Sequence, residues 1–270
     1  MKRALAAAAA SALLLLAAHR LEAPLAWLVC APLVATASRT RSWTEAAVLG
    51  AAFALELALL VHAAWLAEVA AGYFSLSPAA AWPAALVLCG ATALPMGALL
   101  GLALRAATRP PGAGSIAASA AAWVAWESLT RISFPFYPWI GLAATQADVP
   151  IVLQAASLGG APGVSLVLAL FGSALGHAWV HRLRSESGER TPRSALALPL
   201  ASAFALVVAL ATLLYGAIRL RSSEPAHDPS CSIAAVDASI PSPEVPEGEV
   251  LARYVEASRR AASSSPDAIV

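Results

Sequence analysis

The chain holds few side chains that could do chemistry. Its three cysteines, Cys30, Cys89 and Cys231, stand far apart and show neither a metal-binding nor a disulfide spacing. Cys30 and Cys89 fall in apolar runs, where a small buried thiol is the expected state. Lys2 is the only lysine, and arginine supplies the rest of the positive charge. Glu127 and Arg131 are four residues apart, a spacing that puts them on one helical face as a structural ion pair. Glu56, His62 and Glu68 interrupt a long apolar run. Polar groups at such depth are costly and raise a functional question, proton transport included. Their spacing of six keeps any two off a common face, so pairing inside a bundle or snorkelling is the plainer expectation. The aromatic and proline cluster from Phe134 through Pro135, Phe136, Tyr137 and Pro138 to Trp139 suits a membrane–water boundary. Prolines remove backbone donors there, so an irregular, partly re-entrant segment is expected.

The elements that must position these groups are apolar helices. The chain is 59% hydrophobic and 12% charged, with a mean hydropathy of +0.71. That lies far from ordinary soluble domains. A net charge of +1 offers no basic stripe for nucleic acid. A spanning helix needs roughly 20 apolar residues. Seven segments approach this: Leu5–Ala18, Leu25–Ala37, Thr44–Ala70, Ala80–Leu104, Ser115–Leu129, Val164–Val180 and Ala195–Ile218. The first also resembles a signal peptide, but six more apolar segments follow and favour an uncleaved helix. Gly159, Gly160 and Gly163 around Pro162 predict a tight turn into the sixth segment. Basic residues set the orientation. An N-terminus inside gathers Lys2, Arg3, Arg39, Arg41, Arg105, Arg109, Arg182, Arg184, Arg190 and Arg193 on the inner side. Only Arg20, Arg131, Arg219 and Arg221 then fall outside, and the tail after the seventh segment is expected outside as well.

Several motifs in order carry a family resemblance. Trp126-Glu127-Ser128-Leu129-Thr130-Arg131 is followed by Tyr137-Pro138-Trp139-Ile140-Gly141-Leu142 and by Gln146. Asp148, Pro150, Gln154 and Gly160-Ala161-Pro162-Gly163-Val164-Ser165 continue the pattern. Over about residues 123–181 the chain resembles the apolipoprotein N-acyltransferases. Two departures stand out. Glu127 and Arg131 are four apart where three is common in the family, and Ala143 replaces a usual glycine, with Gly141 nearby.

The tail reads as strand (Ser232 to Val236), proline-rich crossing, amphipathic helix (Gly248 to Ala262) and the start of a second strand (Asp267 to Val270). The expected fold is a polytopic α-helical membrane protein over residues 1–222. Residues 223–270 would then be the opening of an αββα, nitrilase-like (carbon–nitrogen hydrolase) extracytoplasmic domain. The resemblance implies a bacterial inner membrane, acyl transfer from a phospholipid through a cysteine thioester, and a diacylglyceryl lipoprotein as acceptor. It implies a Glu-Lys-Cys triad and no cofactor. That triad cannot be assembled from Lys2, Cys30, Cys89 and Cys231 on the outer side, so the sequence reads as a truncated, membrane-part-only form without catalytic residues. Phe134, Phe136, Tyr137 and Trp139 are the candidate lining of a lateral opening for lipid, with interfacial anchoring as the alternative. A non-catalytic scaffold or degenerate relative is the competing expectation. A small transporter would show inverted repeats, and none is visible.

Overall fold

The computed structural model describes residues 1–109, 113–132, 141–186, 192–222, 233–234, 247–263 and 268–269. Among the described residues five helices are long and apolar enough to cross a membrane: α1 (Lys2–Arg20), α3 (Trp43–Val61), α5 (Pro78–Ala107), α8 (Ala156–Glu186), which the short helix α7 (Pro150–Leu153) precedes, and α9 (Pro192–Ser222). The other two expected spans form helices that fall outside that set. Over Leu25–Ala37 the chain makes a 3-10 turn, Ala23–Leu28, and then the short helix α2, Cys30–Ala37. Pro24 opens the turn, and Pro32 has no N–H for the carbonyl four residues back, so the ladder restarts at Val29. Helix α6 (Ala113–Ile132) is 20 residues long, but Ser115, Ser119, Glu127, Thr130 and Arg131 dilute its apolarity.

The long segment expected over Thr44–Ala70 is two helices, α3 and α4 (Ala63–Tyr73), that meet at His62. The interruption is confined to that residue. His62 still donates its N–H to Ala58 O at 2.9 Å and accepts from Leu66 N at 2.8 Å. Glu56, on α3, has a buried Oε2 with no hydrogen-bond partner among the described residues, whereas Glu68, on α4, is exposed.

Small residues decide how the helices pack. Gly50 on α3 lies backbone to backbone against Gly97 and Gly101 of α5, and Ala46 O covers Gly101. On α8, Gly172 rests on Trp27 O and Cys30, and Gly176 on Ala31 O and Val34. Both α5 and α8 thus use a Gly-x-x-x-Gly step to admit a neighbour's backbone, as helices in lipid commonly do. Phe53, Trp123 and Trp126 fill the centre, with ring centroids 5.5–6.0 Å apart.

Caps and polar ties fix the two ends of the bundle. Ser42 accepts from Glu45 N at 3.0 Å and so starts α3, while Glu45 Oε2 accepts from Arg41 N at 2.7 Å. The N-terminal amine lies 3.9 Å from Glu45 Oε1, which sets α1 and α3 side by side and parallel. Ser11 donates to Val29 O at 2.8 Å and ties α1 to the junction before α2.

The turn expected around Gly160 is present. Gly160 has φ 62 and ψ −165, a break inside α8 just before Pro162. Only glycine adopts that region without strain. Gly160→Ala is expected to lower stability by about 1–3 kcal/mol, read from thermal unfolding in detergent. An unchanged midpoint would mean that the break relaxes at no cost.

In the tail, β1 (Ile233–Ala234) and β2 (Ala268–Ile269) pair in parallel, with helix α10 (Glu247–Ala262) between them in sequence. The register places Ile233 opposite Ala268 and Ala234 opposite Ile269.

Candidate functional site

The motif residues of the sequence converge on one polar knot, at the bundle end where α6 stops and α8 starts. Glu127 is its centre. The last turns of α6 bury this carboxylate (4% exposed) beneath the aromatic cluster. Its Oε1 accepts from Trp123 Nε1 at 2.8 Å, one helical turn earlier. The same oxygen accepts from the backbone N–H of Leu142 at 2.7 Å, across 15 residues of chain. Two hydrogen bonds on one carboxyl oxygen make Glu127 a clamp between α6 and the chain that resumes at Leu142.

A 3-10 turn, Leu142–Gln146, continues the knot. Ala143 N donates to Ser165 Oγ at 3.1 Å, which binds the turn to α8. Gln146 Nε2 donates to Ala23 O at 3.0 Å and to Thr145 Oγ1 at 2.8 Å, which binds it to the chain leaving α1. Gln146 is almost wholly buried (1% exposed), so its amide is a structural tie rather than a surface group. Nearby, Ser157 Oγ and Tyr215 Oη are 2.9 Å apart and connect α8 to α9.

Gly141 explains where Arg131 belongs. A Cβ placed on Gly141 would lie 3.0 Å from Arg131 Nη2 and 3.5 Å from Glu127 Oε2. The space beside this glycine is therefore shared by the guanidinium and by the second carboxylate oxygen. That oxygen is buried and has no hydrogen-bond partner among the described residues. Glu127 spends its hydrogen bonds on Trp123 and Leu142, and Arg131 stands at the exposed edge.

The knot fixes backbone positions. No cysteine or lysine takes part in its hydrogen bonds among the described residues. Cys30 and Cys89 are both buried and free, and Cys89 Sγ lies 3.8 Å from Ala58 O. Phe134, Phe136, Tyr137 and Trp139 fall in residues 133–140, outside the described residues, as does Cys231. Among the described residues no group of three or more His, Cys, Asp or Glu could hold a metal.

The apolipoprotein N-acyltransferase N-terminal domain family matches residues 10–174. The chain belongs to that family. The matched stretch runs from α1 into α8 and takes in every member of the Glu127 knot. Helix α9 and the β1–α10–β2 segment lie beyond it. Comparison with curated proteins found no match.

Proposed function

We propose that this chain supplies the membrane part of an apolipoprotein N-acyltransferase in a bacterial inner membrane. The observation that carries this is the family match over residues 10–174. In this reading seven helical segments cross the bilayer. The short Ala23–Ala37 stretch and the more polar α6 complete the five longer helices. Arg39, Arg41, Arg105 and Arg109 belong to the cytoplasmic end, and the Glu127 knot with the tail to the outer side. Structural support comes from the ends themselves: Arg105 and Arg109 reach the 40–41 backbone at one end, and Gln146 reaches Ala23 at the other.

The knot's task is then mechanical. Glu127 ties Leu142 to α6, and the aromatic residues between them, Phe134, Phe136, Tyr137 and Trp139, would line a lateral opening for the phospholipid and the diacylglyceryl lipoprotein. The chemistry belongs to a nitrilase-like domain outside the membrane. A cysteine thiol attacks the phospholipid ester, a glutamate takes the thiol proton, and a lysine steadies the oxyanion. The lysophospholipid leaves with a proton, and the thioester passes its acyl group to the α-amine of the acceptor. That last step restores the thiol. The parallel β1–β2 pair around α10 supports such a domain opening here.

Among the described residues Cys30 and Cys89 are buried and Lys2 lies at the opposite end, so these 270 residues alone are expected to transfer nothing. Purified polypeptide, phospholipid and a diacylglyceryl peptide are mixed, and the peptide is weighed for one added acyl chain. The same assay is run with the polypeptide joined to a nitrilase-like domain carrying the Glu-Lys-Cys set. Transfer in the joined form alone supports the proposal. Transfer by the polypeptide alone, or by neither, overturns it, and the second outcome favours a scaffold.

A further inference from the structure

At the bundle end opposite the Glu127 knot, two arginines share one acceptor. Arg105 Nη1 donates to Thr40 O at 2.5 Å and to Thr40 Oγ1 at 2.7 Å, while Arg105 Nη2 donates to Arg41 O at 3.2 Å. Arg109 Nη2, just past the C-terminal end of α5, donates to the same Thr40 O at 2.5 Å. The two cationic nitrogens are therefore no farther apart than twice that distance. Arg105 is 4% exposed, and its Nε is buried with no hydrogen-bond partner among the described residues. Its other neighbour is the Trp43 ring, 4.9 Å from the guanidinium carbon. No carboxylate balances either charge among the described residues. Glu45, the acid at this end, is engaged by the N-terminal amine and by Arg41 N.

Burying an arginine on neutral partners beside a second arginine is costly unless an anion completes the set. Arg39, Arg41 and Arg109 are exposed around it, and Lys2 and Arg3 adjoin through the Met1–Glu45 contact. We propose that this cluster is a binding site for the phosphate of an anionic phospholipid. The phosphate would take the Arg109 guanidinium, with Arg39 and Arg41 adding charge, and leave Thr40 O to Arg105. A lipid fits better than free phosphate because the site lies at the rim of an apolar belt. Trp43 is 55% exposed there, and Leu99, on α5 with Arg105, is 49% exposed. Basic pockets between membrane helices are suited to such headgroups.

The test uses the full chain in neutral detergent and does not depend on acyl transfer, so its failure leaves the proposed function standing. Thermal unfolding is followed with added phosphatidylglycerol, phosphatidylcholine or inorganic phosphate at matched ionic strength. Phosphatidylglycerol is expected to raise the midpoint by about 3 °C or more, and phosphatidylcholine not to do so. In the double variant Arg41→Gln/Arg109→Gln, which leaves the buried Arg105 in place, most of that rise is expected to vanish. Arg221→Gln, at the far end of α9, should keep it. An equal rise in both variants, or none in the parent, overturns the site. An equal rise with inorganic phosphate overturns the lipid as its occupant.

Discussion

Replacing Gly101 with leucine is expected to cost roughly 3 kcal/mol or more through the α3–α5 contact. A Cβ at this position would overlap the carbonyl of Ala46 and approach the backbone N of Gly50 to 2.9 Å. Backbone atoms cannot rotate aside as a side-chain tip can. Helices α3 and α5 would have to separate, and separation forfeits the dispersion contacts that hold helices together where lipid supplies no hydrophobic drive. Even Gly101→Ala meets the same backbone, so a graded loss from glycine to alanine to leucine is expected. The measurement is the thermal midpoint and the monodisperse fraction in detergent. Gly90→Ala, at a glycine with nothing within 4 Å of an added Cβ, is the control. Equal behaviour of the Gly101 and Gly90 variants would show that the close approach carries no energy.

The glycine contacts were within reach of the sequence, because Gly97-Ala98-Leu99-Leu100-Gly101 and Gly172-Ser173-Ala174-Leu175-Gly176 have the small-residue spacing of packed membrane helices. Apolar runs alone do not reveal them, since hydropathy is blind to which face is small. The turn at Gly160 was legible because glycine and proline punctuate the backbone by their own sterics. His62 was not, since neither glycine nor proline stands beside it and the hydrogen-bond ladder continues through it. The break within Ala23–Ala37 follows from Pro24 and Pro32, which interrupt the backbone ladder and which a count of apolar residues passes over. At the knot, the helix spacing of Glu127 and Arg131 suggested an ion pair. The carboxylate serves Leu142 instead, and a bond across 15 residues leaves no local trace. The two arginines on Thr40 O were counted toward orientation, but charge counting does not say that they converge.

Glu127 gives the other large effect, and it separates a clamp from an ion pair. Glu127→Ala is expected to lower stability by about 3–5 kcal/mol, because Trp123 Nε1 and Leu142 N–H would both be left buried without an acceptor. Glu127→Gln keeps an oxygen in reach of both donors, so its cost is expected to stay near 1 kcal/mol. Double-mutant cycles identify the partner. Glu127→Ala with Trp123→Phe should show coupling, since each change removes the indole–carboxyl hydrogen bond, and the cycle cancels the space the smaller ring leaves in this buried cluster. Glu127→Gln with Arg131→Gln should show less, because Arg131 stands at the exposed edge and exposed pairs couple by under about 1 kcal/mol. Strong coupling to Arg131 and none to Trp123 would reverse the assignment and make the ion pair the element that orders this end. In the joined form that carries the catalytic domain, the clamp implies a further asymmetry. Glu127→Ala should weaken acyl transfer well beyond Glu127→Gln at a temperature where both remain folded, because only the alanine releases Leu142 from α6. Equal transfer by the two variants would leave Glu127 a stabiliser of the bundle with no hold on the opening.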